Sequence, residues 1–269
     1  MITVVSFVSC TKDLDRTPKY GNTAASLYVN LDGYRSVLAK VYSGLTLTGN
    51  SGPDGQGDIA GINEGFSSYI RQYWSAQELT TDEAVIGWND ATIKDFHSLS
   101  WSPADVFVRA LYSRIFFQIT LANEFIRESA PAKLAERNLS GADATEIGYM
   151  RAEARFLRAL SYYHALDLFG NVPFVTEGDN VGAFLPTQIS RANLFTYVED
   201  ELKAIETELK DARSNEYGRA DKAAAWALLS RLYLNAEVYT GTPKYGDCIT
   251  YCNKVTAVTG YTLATNYRN

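Results

Sequence analysis

Residues 151–175 read RAEARFLRALSYYHALDLFGNVPFV. Within and just before this stretch, Ile147, Met150, Ala154, Leu157, Ser161, His164 and Leu168 recur at steps of three and four, which places them on one face of an α-helix. That face is predicted to pack, and His164 on it is expected to be a satisfied core histidine. Asp143 followed by Glu146 resembles a capping box, while Gly170 and Pro173, just past the last periodic residue, supply a stop. The helix is therefore expected over residues 143–169, roughly 40 Å at 1.5 Å per residue. Arg151, Arg155 and Arg158 share another face. They make either a clamp for anions and sugar hydroxyls or ordinary partners for nearby acids, and the second reading needs no ligand.

Outward from this helix the chain reads as mainly α. Residues 24–45 form a first helical pattern whose buried stripe is Leu27, Leu31, Tyr34, Leu38, Val41 and Leu45. Residues 46–63 are rich in Gly, Ser, Asp and Asn and read as a loop. Asp54, Gln56 and Asp58 alternate there like a calcium loop, but the central glycine and downstream glutamate are out of register, so no metal is expected. A short helix is predicted over 64–76 and an irregular segment over 79–90. Ser102 and Pro103 read as N-cap and first residue of a helix reaching Glu128, with Val106, Ala110, Ser113, Phe117, Leu121 and Phe125 as its stripe. Helices over 190–212 and 220–239, and another from near Gly246, complete the pattern. Strand signals are confined to 172–176 and 261–263.

Trp226, Leu229, Ser230 and Tyr233 match the tetratricopeptide pattern, with Ser in place of Gly where two helices approach closely. Phe156, Ala159, Leu160 and Tyr163 repeat it loosely. Cys248 and Cys252 share one helical face, a poor geometry for a disulfide, and read as small core residues in a repeat seam.

The balance of 25 Lys and Arg against 31 Asp and Glu leaves a net charge of -6 in 269 residues, and no basic run is present. Nucleic acid is thereby an unsuitable partner. The chain carries 18 Tyr, 12 Phe and 4 Trp. Most of the tyrosines are expected in helix seams, with Trp74 and Trp101 counted as core, and flat rings left exposed would suit sugars. Catalytic machinery is not legible: Asp82 and Glu83 are adjacent, so extended backbone would turn them to opposite faces, and no nucleophile elbow or metal-ligand cluster accompanies the two histidines. No apolar stretch of 18 residues exists to span a bilayer.

In its Phe-Gly-Asn-Val-Pro ending and the helix before it, segment 151–175 resembles the signature of the SusD/RagB family of outer-membrane glycan-binding lipoproteins. Further pieces carry the same resemblance: Thr81-Asp82-Glu83-Ala84-Val85, Leu111-Tyr112-Ser113-Arg114-Ile115 leading to Ala122-Asn123, and residues 224–240 ending Leu-Tyr-Leu-Asn-Ala-Glu-Val-Tyr-Thr. The resemblance implies a tetratricopeptide-like helical-repeat scaffold with long irregular loops, a non-enzymatic role without cofactor, and capture of oligosaccharides as a lid on a TonB-dependent, SusC-like transporter barrel. It implies a ligand site in the segment after the Asp-Glu pair, here Asp82, Trp88, Asn89, Asp90 and His97. In that site, carboxylate and amide groups would bind vicinal hydroxyls and the indole would take the apolar face of a pyranose. Trp88 tucked inward in a surface loop is the bland alternative.

The amino terminus extends the resemblance. The apolar run 2–8 ends in Phe-Val-Ser-Cys, similar to a bacterial lipoprotein cleavage box, which makes residues 1–9 a signal-peptide remnant and Cys10 the lipid attachment point. Thr11-Lys12-Asp13-Leu14-Asp15 is similar to the surface-export signal of Bacteroidetes lipoproteins. Acyl chains on Cys10 would anchor the chain to the outer membrane at the cell surface, with residues 10–23 as tether. Residues 24–269 then form the helical domain, expected to be incomplete at its carboxyl end because family members are longer. A helical-repeat scaffold for protein partners, without glycan binding, is the competing reading.

Overall fold

The computed structural model describes residues 23–51 and 56–266. Asp54 of the calcium-loop reading, Cys10 and the acidic residues after it lie outside the described residues. Among those described, the chain is an array of helices with one two-stranded ribbon.

The first predicted helix is broken in two. Helix α1 (Ala24–Leu27) ends at Tyr28, and α2 (Leu31–Ser43) restarts because extended Asn30 accepts a 2.9 Å hydrogen bond from Gly33 N. The two helices meet so closely that a Cβ on Gly33 would sit 1.9 Å from Leu27 O. Helix α3 (Tyr69–Glu78) starts five residues later than the 64–76 pattern suggested, because residues 65–67 give their carbonyls to side chains elsewhere. Arg71 binds Gly65 O, Gln72 binds Phe66 O and Arg114 binds Ser67 O. After the short α4 (Asp95–Ser98), α5 (Val106–Glu128) begins at Asp105, not at Ser102-Pro103. Asp105 Oδ1 accepts from Phe107 N and Val108 N at 2.8 and 3.0 Å.

The face that α5 buries is also displaced. Of the expected stripe, Ala110 and Phe125 are buried, whereas the contacting rows are Phe107, Leu111, Ile115, Ile119, Ala122 and Ile126, accompanied by buried Arg114 and Gln118. Two polar residues inside the buried face hid its phase. Gln118 donates to Val41 O at 2.7 Å, which locks α5 to α2.

Helix α6 (Pro131–Glu136) leads into α7 (Gly141–Phe169), the axis of the fold. The predicted stripe is buried from Ile147 to His164. From Ala152 to Leu166 every residue except Arg155 and Leu160 is buried as well, so this helix is enclosed on all sides and not amphipathic. The capping box is absent: Ser140 is the N-cap, and Glu146 instead takes Lys210 Nζ at 2.9 Å. The three arginines are paired with acids. Arg155 reaches Glu201 and Glu208 at 2.9 and 2.7 Å, Arg158 binds Glu177 and, at 2.8 Å, Glu201, and Arg151 approaches Glu177 at 3.9 Å. Burial alone would weaken these cations, but the carboxylates hold Arg155 and Arg158 more firmly protonated than usual, and the two arginines in turn hold Glu201 below the ordinary carboxylate range.

Past Gly170, β1 (Val172–Pro173) pairs antiparallel with β2 (Gln188–Ile189), Val172 opposite Ile189. No strand forms at 261–263. Helices α8 (Arg191–Ile205), α9 (Lys222–Leu234), α10 (Ala236–Thr240) and α11 (Tyr245–Thr256) follow. Helix α7 packs against α5 and α2 on one side and α8 on another, and α9 lies along α11. In the tetratricopeptide-like helix α9, Leu229 and Tyr233 are buried, and Tyr233 Oη donates to Glu199 at 2.8 Å. The cysteine expectation holds only for Cys248, which packs partly against the core. Cys252 is exposed, because α11 turns Tyr251 toward α9 instead, 5.6 Å ring to ring from Tyr233.

Candidate functional site

Between α3 and α5 the chain has little regular structure. It folds over a small separate core of Leu79, Ile93, Phe96 and Phe107, with Ile86 and Val108 packed on its edge. These apolar residues alternate with polar ones too irregularly for a helix or strand, so the segment is pinned by a few anchors and its intervening side chains face water. Ala91 and Leu99 take positive φ of 38° and 55° to make the bends.

On this segment Trp88 is 60% exposed. It does not tuck inward. Its ring lies 5.6 Å from the Arg71 guanidinium, whose Nη1 is held by Gly65 O at 2.9 Å. The indole therefore has a cation fixed beside it, a favourable contact of about 0.5–1 kcal/mol at an exposed site. Trp88 and Arg71 border a cavity of about 260 Å³ whose walls include Trp74, Ile86, Asp90 and Phe107.

Of the residues singled out from sequence, the structure brings Trp88 and Asp90 to this cavity. Asp82, Asn89 and His97 are exposed on the same segment but do not line it. Two residues that do were missed. Arg71 carried no motif, and Trp74 was expected in the core but is 49% exposed. The signal was available in phase: α3 buries Tyr69, Gln72 and Ser75, and Trp74 stands about 200° around the helix from Gln72. Trp101, also expected in the core, is 45% exposed, because Phe96 and Phe107 already fill the small core it would have entered.

Chemically, the cavity presents an indole face, a second indole, a guanidinium fork and one carboxylate. It suits a ligand with apolar faces and hydroxyl edges. Among the described residues, no three His, Cys, Asp or Glu side chains converge as metal ligands. His164, the other histidine, is inside the bundle, where it bonds Tyr69 Oη through Nδ1 at 2.8 Å and stacks on Tyr73 at 4.0 Å. No described helix is long and apolar enough to cross a membrane.

A helical-repeat scaffold with an aromatic cleft in an irregular insert is a binding architecture, and sequence comparison gives it a family. Residues 58–234 match the SusD-like family described as "Starch-binding associating with outer membrane", and the chain belongs to that family. It is 38% identical over 260 residues to the starch-binding protein SusD of Bacteroides thetaiotaomicron, covering 96% of this chain and 44% of that protein. Among solved structures, a SusD superfamily protein from Bacteroides thetaiotaomicron superposes with a TM-score of 0.67 at 20% identity, over 87% of this chain and 48% of the other. A laminarin-binding SusD-like protein superposes with a TM-score of 0.63 at 22% identity, over 87% and 45%. The two superpositions establish the shared helical fold. The chain spans less than half the length of each of these relatives.

Proposed function

We propose that this chain is part of a cell-surface protein that binds oligosaccharides and passes them, unaltered, to a TonB-dependent transporter in the outer membrane. The observation that carries the proposal is the exposed Trp88 indole with Arg71 fixed beside it and Asp90 on the same cavity wall. A pyranose has one apolar face and a rim of hydroxyls. The indole buries that face, while guanidinium and carboxylate take paired hydroxyls as donor and acceptor. Asp82, Asn89 and His97 extend the binding surface along the segment, and Trp74 supplies a second ring. Family membership and the names of two relatives, starch-binding and laminarin-binding, support a glycan as the ligand class. Acylation at Cys10 would hold the protein at the outer membrane, and the transporter barrel is its partner by family analogy.

The test is a glycan array followed by titration calorimetry. The wild-type chain is expected to retain at least one oligosaccharide, and Trp88→Ala to weaken that binding at least tenfold while the far-ultraviolet circular dichroism is unchanged. A chain that retains no glycan, yet pulls down a protein partner through its helical face, would be a repeat scaffold. Metabolic labelling with a palmitate analogue tests the anchor, since Cys10→Ser should lose the label.

A further inference from the structure

The small core under the Trp88 segment borders a second opening. Trp101, Val108, Arg109, Tyr112, Leu168 and Phe169 line a cleft of about 510 Å³, between the start of α5 and the end of α7. An adjoining hollow of about 240 Å³ shares Trp101, Val108, Leu168 and Phe169 and reaches Phe96 and Thr80. Ligand pockets run from roughly 300 to 1,000 Å³, so the cleft is large enough for a sugar ring.

Its walls are arranged for an amphipathic guest. Trp101 leaves much of its indole in solvent although Phe96 holds it from behind, 6.2 Å centroid to centroid. Tyr112 is fixed by Phe169, edge-on at 5.2 Å and 84°, and by Phe116 at 4.6 Å. Neither the Tyr112 hydroxyl nor the Arg109 guanidinium has a hydrogen-bond or ionic partner among the described residues. No acid lines the cleft, and Arg109 on its wall disfavours a cationic guest. What it offers is an exposed indole face, a fork of donors and a phenolic hydroxyl. Three of the chain's four tryptophans, Trp74, Trp88 and Trp101, fall within residues 74–101, and each is about half exposed or more.

We infer that this cleft is a second carbohydrate subsite, in which a pyranose unit lies on Trp101 while Arg109 and the Tyr112 hydroxyl bond its hydroxyl groups. The inference rests on the glycan-binding reading above. The shared small core makes the two openings neighbours, so one segment of chain presents both to the same class of ligand.

Titration calorimetry of the full 269-residue chain with maltoheptaose and laminariheptaose tests it, using Trp88→Ala, Trp101→Ala and Arg109→Ala. Arg109 is exposed, so its variant separates lost binding from lost folding. For at least one of the sugars, the second subsite requires residual binding in Trp88→Ala, a drop of at least fivefold in affinity or a fall in stoichiometry from two to one in Trp101→Ala, and a weaker loss of the same kind in Arg109→Ala. If Trp88→Ala abolishes binding of both sugars and the other two variants match wild type, the second subsite is overturned and the first stands. If the wild-type chain binds neither sugar, both readings fail for glucans. A concentration-dependent dimer in light scattering that Trp101→Ala dissolves would assign the cleft to a second copy of the chain and overturn the inference.

Discussion

Arg114 Nε donates a 2.8 Å hydrogen bond to Ser67 O, from the middle of α5 to the loop before α3. The side chain is 1% exposed, and its Nη2 also reaches Thr48 O at 3.2 Å. One buried guanidinium thus fixes both ends of the long polar stretch that precedes α3, and with it the helix carrying Arg71 and Trp74. Replacing Arg114 with Met leaves Ser67 O without its donor inside the protein and leaves Thr48 O to Asp58 N, at 2.9 Å, which costs about 2 kcal/mol. Urea unfolding should show a lower midpoint at unchanged m-value. An unchanged midpoint would mean that the loop is held by other contacts.

His164 gives stability a definite dependence on pH. Enclosure in the bundle and the nearby Arg231 push its pKa down from the ordinary 6.5 to about 3. The unfolded chain therefore takes up a proton near pH 6.5 that the folded chain refuses until about pH 3. Folding is favoured above the unfolded pKa, and stability falls as pH drops between these values by about 1.4 kcal/mol per pH unit. The stacked Tyr73 and the Tyr69 hydrogen bond leave the ring no room to hydrate. His164→Asn keeps an acceptor near Nδ1 but cannot titrate. Its melting temperature should fall less than that of wild type between pH 7 and pH 4.5, and parallel curves for the two would count against this role.

The turn that follows α7 depends on Gly170, at φ 73° and ψ -101°, a conformation costly for any residue with a Cβ. Space is not the obstacle, since an added Cβ would meet only Arg191 Cδ at 3.8 Å. The turn aims Asn171 so that its Oδ1 accepts from Arg191 N at 2.8 Å and Val172 pairs with Ile189. Gly170→Ala should destabilise by about 1–3 kcal/mol through backbone strain. Chemical denaturation of the two proteins reads this directly, and equal stability would remove the strain argument.

Trp74 contributes ring area to the first cavity from a different element than Trp88. Trp74→Ala is expected to weaken oligosaccharide binding roughly two- to tenfold, equivalent to about 0.5–1.5 kcal/mol, with little loss of stability because the side chain is half exposed. Calorimetry against the best array ligand measures the first and thermal melting the second. Affinity equal to wild type would confine the site to Trp88 and its immediate neighbours.

The core of the fold was readable where apolar residues keep strict helical spacing. Ile147, Met150, Ala154 and Leu157 are all buried as that spacing requires. Reading failed where the buried face includes polar residues. Arg114 and Gln118 lie inside the face of α5 because backbone carbonyls from other elements satisfy them, and no local pattern announces a partner 47 or 77 residues away. Helix starts differ from the motifs for a related reason: Asp105 caps α5 where the tertiary path of the chain leaves backbone N–H groups open, and α7 starts after Ser140 without any side-chain cap, not where the best capping motif stands. In the candidate site, Trp88 and Asp90 were legible from their segment, while Arg71 and Trp74 reach the cavity only because α3 packs beside that segment.

By itself the sequence determined the helical class, the central helix from its periodicity, its end at Gly170, and the family, since these rest on local spacing and local motifs. Only the tertiary structure decided which rings face water. Trp74, Trp88 and Trp101 have much the same hydrophobicity, and their exposure depends on whether Phe96, Phe107 and their neighbours have already filled the space available. Packing is a competition for volume among residues distant in sequence, and its outcome is not written in any one of them.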